Sequence, residues 1–464
     1  MSGQIIGVQW KTTITFRDCD TNVPMTSVGG AVVEKKLIRA IGRWSLAALA
    51  INSVIGSGVF GLPAIVAGLL GRYSTLAVLI AAAAMSINIA CFAEVASRFS
   101  EAGGPYLYAR AAFGRLTGIL VAWLFYLALS AAPAANANLF VIYLAEFWPA
   151  VKQPWPRFLI LTLLVGITAV INIRGVRQGT AANNAFTIAK IVPLLMVIMA
   201  GTVMIMLRHT AILPQALHVG GSSWLKATVL VTFLFGGFES ALAPMSEAKN
   251  PRRDAAFALF TTVIVCTAIY ALVQWVVVDV LGSSATSDRP LAEVARLSLG
   301  NWGAALIAIG AMLSVWGYLG AKLLGMPRLT FALAQQNELP SIFCAVSRRF
   351  HTPWFSIVFY AAVIWILAII GSFAWNVTLS VVARLFYYGV ICAAVIALRR
   401  QQLEAATFRI PGGALFPVLG IAVCIVLLTQ VDFSQSRILA ATVVAAILHW
   451  AWIRHQVRAA EQRS

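Results

Sequence analysis

Apolar residues run in stretches of about 20, the length at which a helix crosses the hydrocarbon core of a bilayer, and such stretches recur along almost the whole chain. Water is absent at that depth, so each span must satisfy its own backbone hydrogen bonds, as a helix does. Twelve helices are predicted, at 44–70, 73–97, 116–146, 157–173, 181–207, 225–246, 254–281, 302–331, 354–373, 375–398, 414–430 and 435–453. They use more than half of the 464 residues and leave little for a domain outside the membrane. Only 11% of the residues are charged, against about 25% in soluble domains. That balance excludes an ordinary soluble enzyme, a disordered chain and a disulfide scaffold. The expected fold is an all-α polytopic membrane protein with twelve transmembrane helices.

The net charge of +18 would suggest nucleic acid in a soluble protein. Here it has a topological origin, because cytoplasmic loops of membrane proteins collect Lys and Arg. With twelve spans, 23 basic residues fall on the side of the N-terminus, Arg98, Arg110, Arg115, Arg252, Arg253, Arg348 and Arg349 among them. The opposite side holds 8: Arg72, Lys152, Arg157, Arg208, Lys226, Arg289, Arg296 and Arg437. The asymmetry predicts both termini in the cytoplasm, for a multi-pass protein of the cell inner (plasma) membrane. No basic stripe is left on a soluble domain, so nucleic acid is not an expected partner. Residues 1–37 read as a cytoplasmic tail, 38–455 as the membrane domain and 456–464 as a second cytoplasmic tail. The first segment is no signal peptide: it holds Asp18 and Asp20 and lacks an apolar core after a basic start.

Cys91, Cys266, Cys392 and Cys424 fall inside apolar spans, Cys19 and Cys344 outside them, and no CxxC or CxxxH spacing occurs. Neither a metal site nor a disulfide is expected, and no cofactor is implied. His209, His218, His351, His449 and His455 sit at span ends or in loops without metal-ligand spacing, which argues against a membrane-embedded enzyme. No GxxxxGK[ST] loop is present, so work against a gradient must draw on a second gradient or on exchange.

Two spans are interrupted. The first, ALAINSVIGSGVFGLPAIVAGLLG, carries Gly56, Ser57 and Gly58 at its centre, with Gly61 and Pro63 following. The sixth, VLVTFLFGGFESALAPMSEAKNP, carries Gly236 and Gly237, then Glu239 and Pro244. Gly weakens a helix interior and Pro breaks or kinks it. An ionisable residue at membrane depth is costly unless it lines a cavity. Interrupted spans in corresponding places of two halves mark a transporter binding site near the midplane. A half-helix beginning near Gly58 offers amides and a positive partial charge, which suits a carboxylate. One ending near Phe235 offers carbonyls and a negative partial charge, which suits an ammonium. Both ends in one cavity suit an α-amino acid. For a lone Gly-x-Gly the competing reading is close helix packing through small residues.

Three segments, GSGVFGLP (56–63), EAGGPYLYARAAFG (101–114) and FGGFESALAPMSEAKNPRRD (235–254), resemble the amino acid–polyamine–organocation (APC) transporter superfamily. With the span count, the resemblance covers about residues 38–455. It implies a LeuT-like fold in which helices one to five and six to ten form inverted repeats, with two further helices. It also implies alternating access for amino acids or related amines, in a monomer or homodimer embedded in the bilayer. The substrate-binding residues it implies are Val54, Ile55, Gly56, Ser57 and Gly58 in the first break and Phe233, Gly236 and Gly237 in the second. Amides of Ser57 and Gly58 would take the carboxylate, and carbonyls of Val54, Phe233 and Gly236 the amino group. Phe233 falls where related transporters carry an aromatic gate. Phe235 is a second candidate, and plain packing is the alternative for either. Tyr126 in the third span is a further pocket candidate.

Four ionisable residues within the spans complete the expectations. Lys190 either snorkels to the cytoplasm or, as the resemblance implies, stands where sodium sits in sodium-coupled relatives. The second reading predicts no sodium coupling and leaves proton symport and exchange open. Glu239 is either an acceptor for backbone amides or a proton-coupling group. Lys322, if it faces the pocket, opposes a cationic substrate and favours neutral amino acids. If it snorkels or pairs with an acid such as Glu239, an arginine/agmatine-type or other basic amino acid or polyamine antiporter remains the alternative. Arg384 is either a pocket residue or a packed structural charge.

Overall fold

The computed structural model describes residues 42–56, 58–99, 104–175, 180–208, 219–239, 250–282, 287–335, 338–401 and 406–461. Among these residues the regular structure is helical, with no strand. In chain order the helices are α1 (Arg43–Val54), α2 (Gly58–Leu70), α3 (Ser74–Ala96), α4 (Gly104–Phe113), α5 (Arg115–Leu144), α6 (Pro154–Ile173), α7 (Thr180–Arg208) and α8 (Gly221–Phe235). They continue with α9 (Pro251–Leu281), α10 (Pro290–Leu299), α11 (Asn301–Gln335), α12 (Trp354–Ile370), α13 (Phe373–Arg400), α14 (Leu415–Leu428) and α15 (Phe433–Glu461).

Among the described residues, eight helical stretches are long and apolar enough to cross a membrane, and α8, α12 and α14 are shorter apolar helices. One stretch, Gly58–Ala96, holds parts of two predicted spans. Gly71, at φ +54°, turns the chain between α2 and α3. Each of the twelve spans is thus present as helix, the first divided into α1 and α2. The sixth was expected to run from 225 to 246, but α8 stops at Phe235, and 240–249 lie outside the described residues. Helix α10 was not anticipated. It begins at Pro290, carries Glu293 in its first turn and Arg296 in its last, and buries Leu291, Val294 and Ala295. Ten amphipathic residues do not register in a search for apolar runs of spanning length.

Helices α5 and α13 pack along one another at the centre, with α4, α11 and α12 also against α5, and with α1 and α3 against α9. Ala131, Ala132, Ala134, Ala135 and Ala137 of α5 are all buried. Lipid tails are as apolar as leucine, so helices associate through close packing, and small side chains permit it. Large apolar side chains such as Met199, Leu207, Ile264 and Leu448 are exposed instead, as the bilayer-facing surface requires.

Candidate functional site

Helix α1 stops where the glycines begin. The Ile55 amide still donates to Ile51 O at 2.8 Å, but the Gly56 amide folds back on Val54 O at 2.7 Å. The helix resumes as α2 at Gly58. Helix α8 ends in the same manner: the Gly236 amide donates to Phe233 O at 3.1 Å, and Gly236 is extended at φ −69° and ψ 151°. Gly237 then takes φ +108°, a conformation that only glycine adopts freely.

The two breaks lie against each other. A Cβ built on Gly237 would come 2.7 Å from Ser53 O, and one on Gly58 would come 2.9 Å from the Phe233 ring. The Ser53 hydroxyl donates to Gly237 O at 3.1 Å. The Tyr270 hydroxyl of α9 lies 3.0 Å from both Val54 O and Leu234 O, so one proton serves a carbonyl from each broken helix. The Lys190 ammonium of α7 donates to Asn52 O at 2.7 Å and to Ile55 O at 3.1 Å. The orphan carbonyls at a helix C-terminus are therefore partnered by fixed side chains. Lys190 points at the break rather than toward either membrane surface.

Behind the second break sits a buried charge pair. Glu239 is held by the Arg384 guanidinium of α13, by the Tyr387 hydroxyl at 3.0 Å and by the Gly237 amide at 3.1 Å. Tyr388 OH lies 3.4 Å from its other oxygen. The Arg384 Nε donates to Ser380 Oγ at 3.3 Å. The guanidinium lies so close to Gly236 that a Cβ there would meet Nη1 at 2.7 Å. Glu239 therefore accepts both from a backbone amide and from an ion-pair partner, and Arg384 is packed and site-facing at once.

A small cavity of about 20 Å³ lies between the breaks. Its wall includes Ser53, Val54, Gly56 and Gly58 from the first break, and Phe233, Leu234 and Gly236 from the second. The facing wall is Ala132 and Asn136 of α5, Tyr318 of α11 and Arg384. Of the residues expected from sequence, Val54, Gly56, Gly58, Phe233 and Gly236 line this cavity. Ile55 offers its carbonyl to Lys190, and Gly237 packs on Ser53. Ser57 lies outside the described residues. Phe235 is buried edge-on against Tyr270, with ring centroids 5.6 Å apart. Tyr126 packs on Tyr360 at 5.5 Å and is no part of the wall.

Lys322 does not line the cavity either. Its ammonium lies 5.2 Å from the centroid of the Tyr318 ring, and Tyr318, one turn earlier on α11, takes the wall position. The cationic group on the wall is Arg384, already paired with Glu239. Tyr270, Asn136 and Tyr318 had not been singled out. Their signal is faint, because each is an uncharged polar residue in an apolar span. Arg384, Tyr387 and Tyr388 had a stronger one, since i, i+3 and i+4 place three polar groups on one helical face.

A family model for amino acid permeases matches residues 41–449. The branched-chain amino acid permease BcaP of Bacillus subtilis (strain 168) is 27% identical over 426 residues, covering 86% of this chain and 90% of that protein. The serine/threonine exchanger SteT of the same organism is 26% identical over 401 residues, covering 83% of this chain and 89% of that protein. A chloroplastic cationic amino acid transporter of Arabidopsis thaliana, number 9, is 30% identical over 330 residues, covering 67% of this chain and 58% of that protein. These relatives are transporters and not enzymes. With nearly all of the helical domain matched, and two broken helices meeting at one cavity, the chain belongs to the amino acid permease family of multi-span membrane transporters.

Proposed function

We propose that the chain is a sodium-independent secondary carrier of neutral amino acids, working by alternating access as a proton symporter or an exchanger. One observation carries this reading: two helix breaks meet at one cavity, and the Lys190 ammonium is bound into the first of them. The N-terminal end of α2 at Gly58 suits the substrate carboxylate. The carbonyls of Val54, Phe233 and Gly236 suit the ammonium, since a carbonyl that already accepts one hydrogen bond keeps a second lone pair. The relatives' names cover branched-chain, hydroxyl and cationic amino acids. The uncharged ones are favoured because, among the described residues, the cavity wall holds no carboxylate for a cationic side chain, and nearby Glu239 is committed to Arg384.

Sodium independence rests on Lys190. A metal ion seeking the carbonyls of Asn52 and Ile55 would meet a fixed ammonium already donating to them. Lys190 and Glu239 are the proposed coupling groups, each placed beside one break. A proton on Glu239 would remove the charge that holds Arg384 against Gly236. Ile55 and Gly237 stay in the proposed substrate site as parts of the two breaks, while Phe235, Lys322 and Tyr126 stand behind the cavity lining, packed on Tyr270, Tyr318 and Tyr360. The excess of basic residues in the loops on the N-terminal side supports cytoplasmic termini in a plasma membrane.

Uptake of labelled amino acids into proteoliposomes tests the reading, with and without internal substrate, sodium and a pH gradient. Saturable uptake of neutral amino acids, unchanged by sodium and accelerated by a pH gradient or by internal substrate, is expected. Uptake of arginine or agmatine in preference to neutral amino acids, or strict dependence on sodium, would overturn it.

A further inference from the structure

Asn136 carries an acceptor with nothing to accept. Its amide borders the cavity between the breaks, and the residue is 2% exposed. The Nδ2 donates to Ala132 O, one turn back on α5, at 2.8 Å. The Oδ1 is buried and without a hydrogen-bond partner. Turning the amide over does not relieve this, because Oδ1 would then face a carbonyl that only accepts. The bond to Ala132 therefore fixes which end is orphaned.

A buried acceptor left without a donor is costly, and this one differs from Asn376 Oδ1 of α13, buried and unpartnered too, in bordering the cavity. In this arrangement no donor on the described wall reaches it. Ala132, Gly56 and Gly58 offer no side-chain donor, the Ser53 proton is committed to Gly237 O, Arg384 is turned to Ser380, Glu239 and Tyr388, and the Tyr318 hydroxyl on the same wall is out of hydrogen-bond reach of Oδ1. An occupant of the cavity can bring the donor. The described wall offers no uncommitted carboxylate to a cationic side chain, so the donor is a neutral one, and the narrow space limits it to a short group.

We infer that Asn136 is a specificity-determining residue that accepts a hydrogen bond from the side-chain hydroxyl of the substrate, so that small hydroxyl amino acids are preferred over their apolar isosteres. This rests on the proposed reading of the chain as a neutral amino acid carrier and narrows its substrate class. The backbone ends take the α-carboxylate and α-ammonium common to all amino acids, and Asn136 reads what differs between them.

Threonine and valine differ by a hydroxyl in place of a methyl, with nearly equal volume, so they isolate the contact. The full-length protein in proteoliposomes is expected to show a kcat/KM for L-threonine about tenfold or more above that for L-valine. In Asn136→Leu and Asn136→Ala that ratio is expected to fall toward one. The ratio is the readout because a merely structural role, or a role for Asn136 in holding the α-ammonium, would depress both substrates together and leave the ratio where it was. A wild-type ratio near one, or a ratio that survives both substitutions, would overturn the inference. The wild-type ratio needs no variant to fold and decides by itself. Neutral uptake with a ratio near one removes this inference alone, whereas absence of any neutral amino acid uptake removes the carrier reading with it.

Discussion

Gly237 sits where a side chain has no place. Its φ of +108° is strained for any residue with a Cβ, and that Cβ would press on the Ser53 carbonyl at 2.7 Å. Gly237→Ala is expected to lower stability by about 1–3 kcal/mol, read as a fall in Tm of the purified protein, and to abolish uptake because the breaks can no longer meet. The Glu239–Arg384 pair makes a sharper case. Removing one partner of a buried ion pair strands the other charge and typically costs about 3–5 kcal/mol, while removing both is far milder. Arg384→Met is therefore expected to destabilise strongly, and Arg384→Met combined with Glu239→Gln to recover much of the loss. Equal Tm values for the single and double variants would show that the pair is not coupled. Both charges were visible in sequence as ionisable residues at membrane depth. Their pairing was not, because 145 residues separate them and no local pattern links positions so far apart.

At the scale of elements, the interruptions were legible because Gly and Pro act through the local backbone. What partners the broken ends was not, because those donors come from other helices: Tyr270 on α9, Lys190 on α7 and Ser53 across the break. Lys190→Met takes away the charged donor that ties the Asn52 and Ile55 carbonyls together, and uptake is expected to fall at least about tenfold, the equivalent of one hydrogen bond to a charged group. Wild-type rates in that variant would sink the role given to Lys190. A second tie holds the end of α11. Glu338 accepts from the Tyr106 hydroxyl of α4 at 2.7 and 2.9 Å and from Arg110 at 3.2 Å, with Arg115 at 3.7 Å. Burial, then Glu338, pushes the Tyr106 phenol up to about 12. The folded value lies above the usual value of about 10, so the stability this group lends is full below pH 10 and is lost only as pH rises through 12. Tyr106 is thus a neutral donor at every working pH. Glu338→Gln is expected to speed amide exchange in residues 104–113, with no such change in α9, because α4 loses its main anchor and α9 makes no bond to Glu338 among the described residues. Uniform exchange across both helices would mean that Glu338 supports the fold generally.

For the molecule as a whole, composition and span length already determined an all-helical membrane protein, since lipid admits few other ways to satisfy a backbone. Orientation follows from a different quantity, the sign of loop charge, and it can be read independently of any helix. Cys344 ends the short helical turn Ser341–Cys344 between α11 and α12, in a loop that the alternation of spans assigns to the side of the termini. It is partly exposed, whereas Cys91, Cys266, Cys392 and Cys424 are buried. On the opposite side, Asp288 has a side chain 62% exposed, bridged to Lys152 at 2.6 Å. In a Cys19→Ser background, a membrane-impermeant maleimide is expected to label Cys344 only after cells are permeabilised. With Cys344→Ser added, Asp288→Cys is expected to label in intact cells, and its surface ion pair is worth too little to disturb the fold. Because the loops alternate sides, one missed or extra crossing between residues 288 and 344 would give both positions the same accessibility. Opposite accessibilities with Cys344 outside would keep the alternation between them and invert the orientation that the 23 basic residues on its side predict.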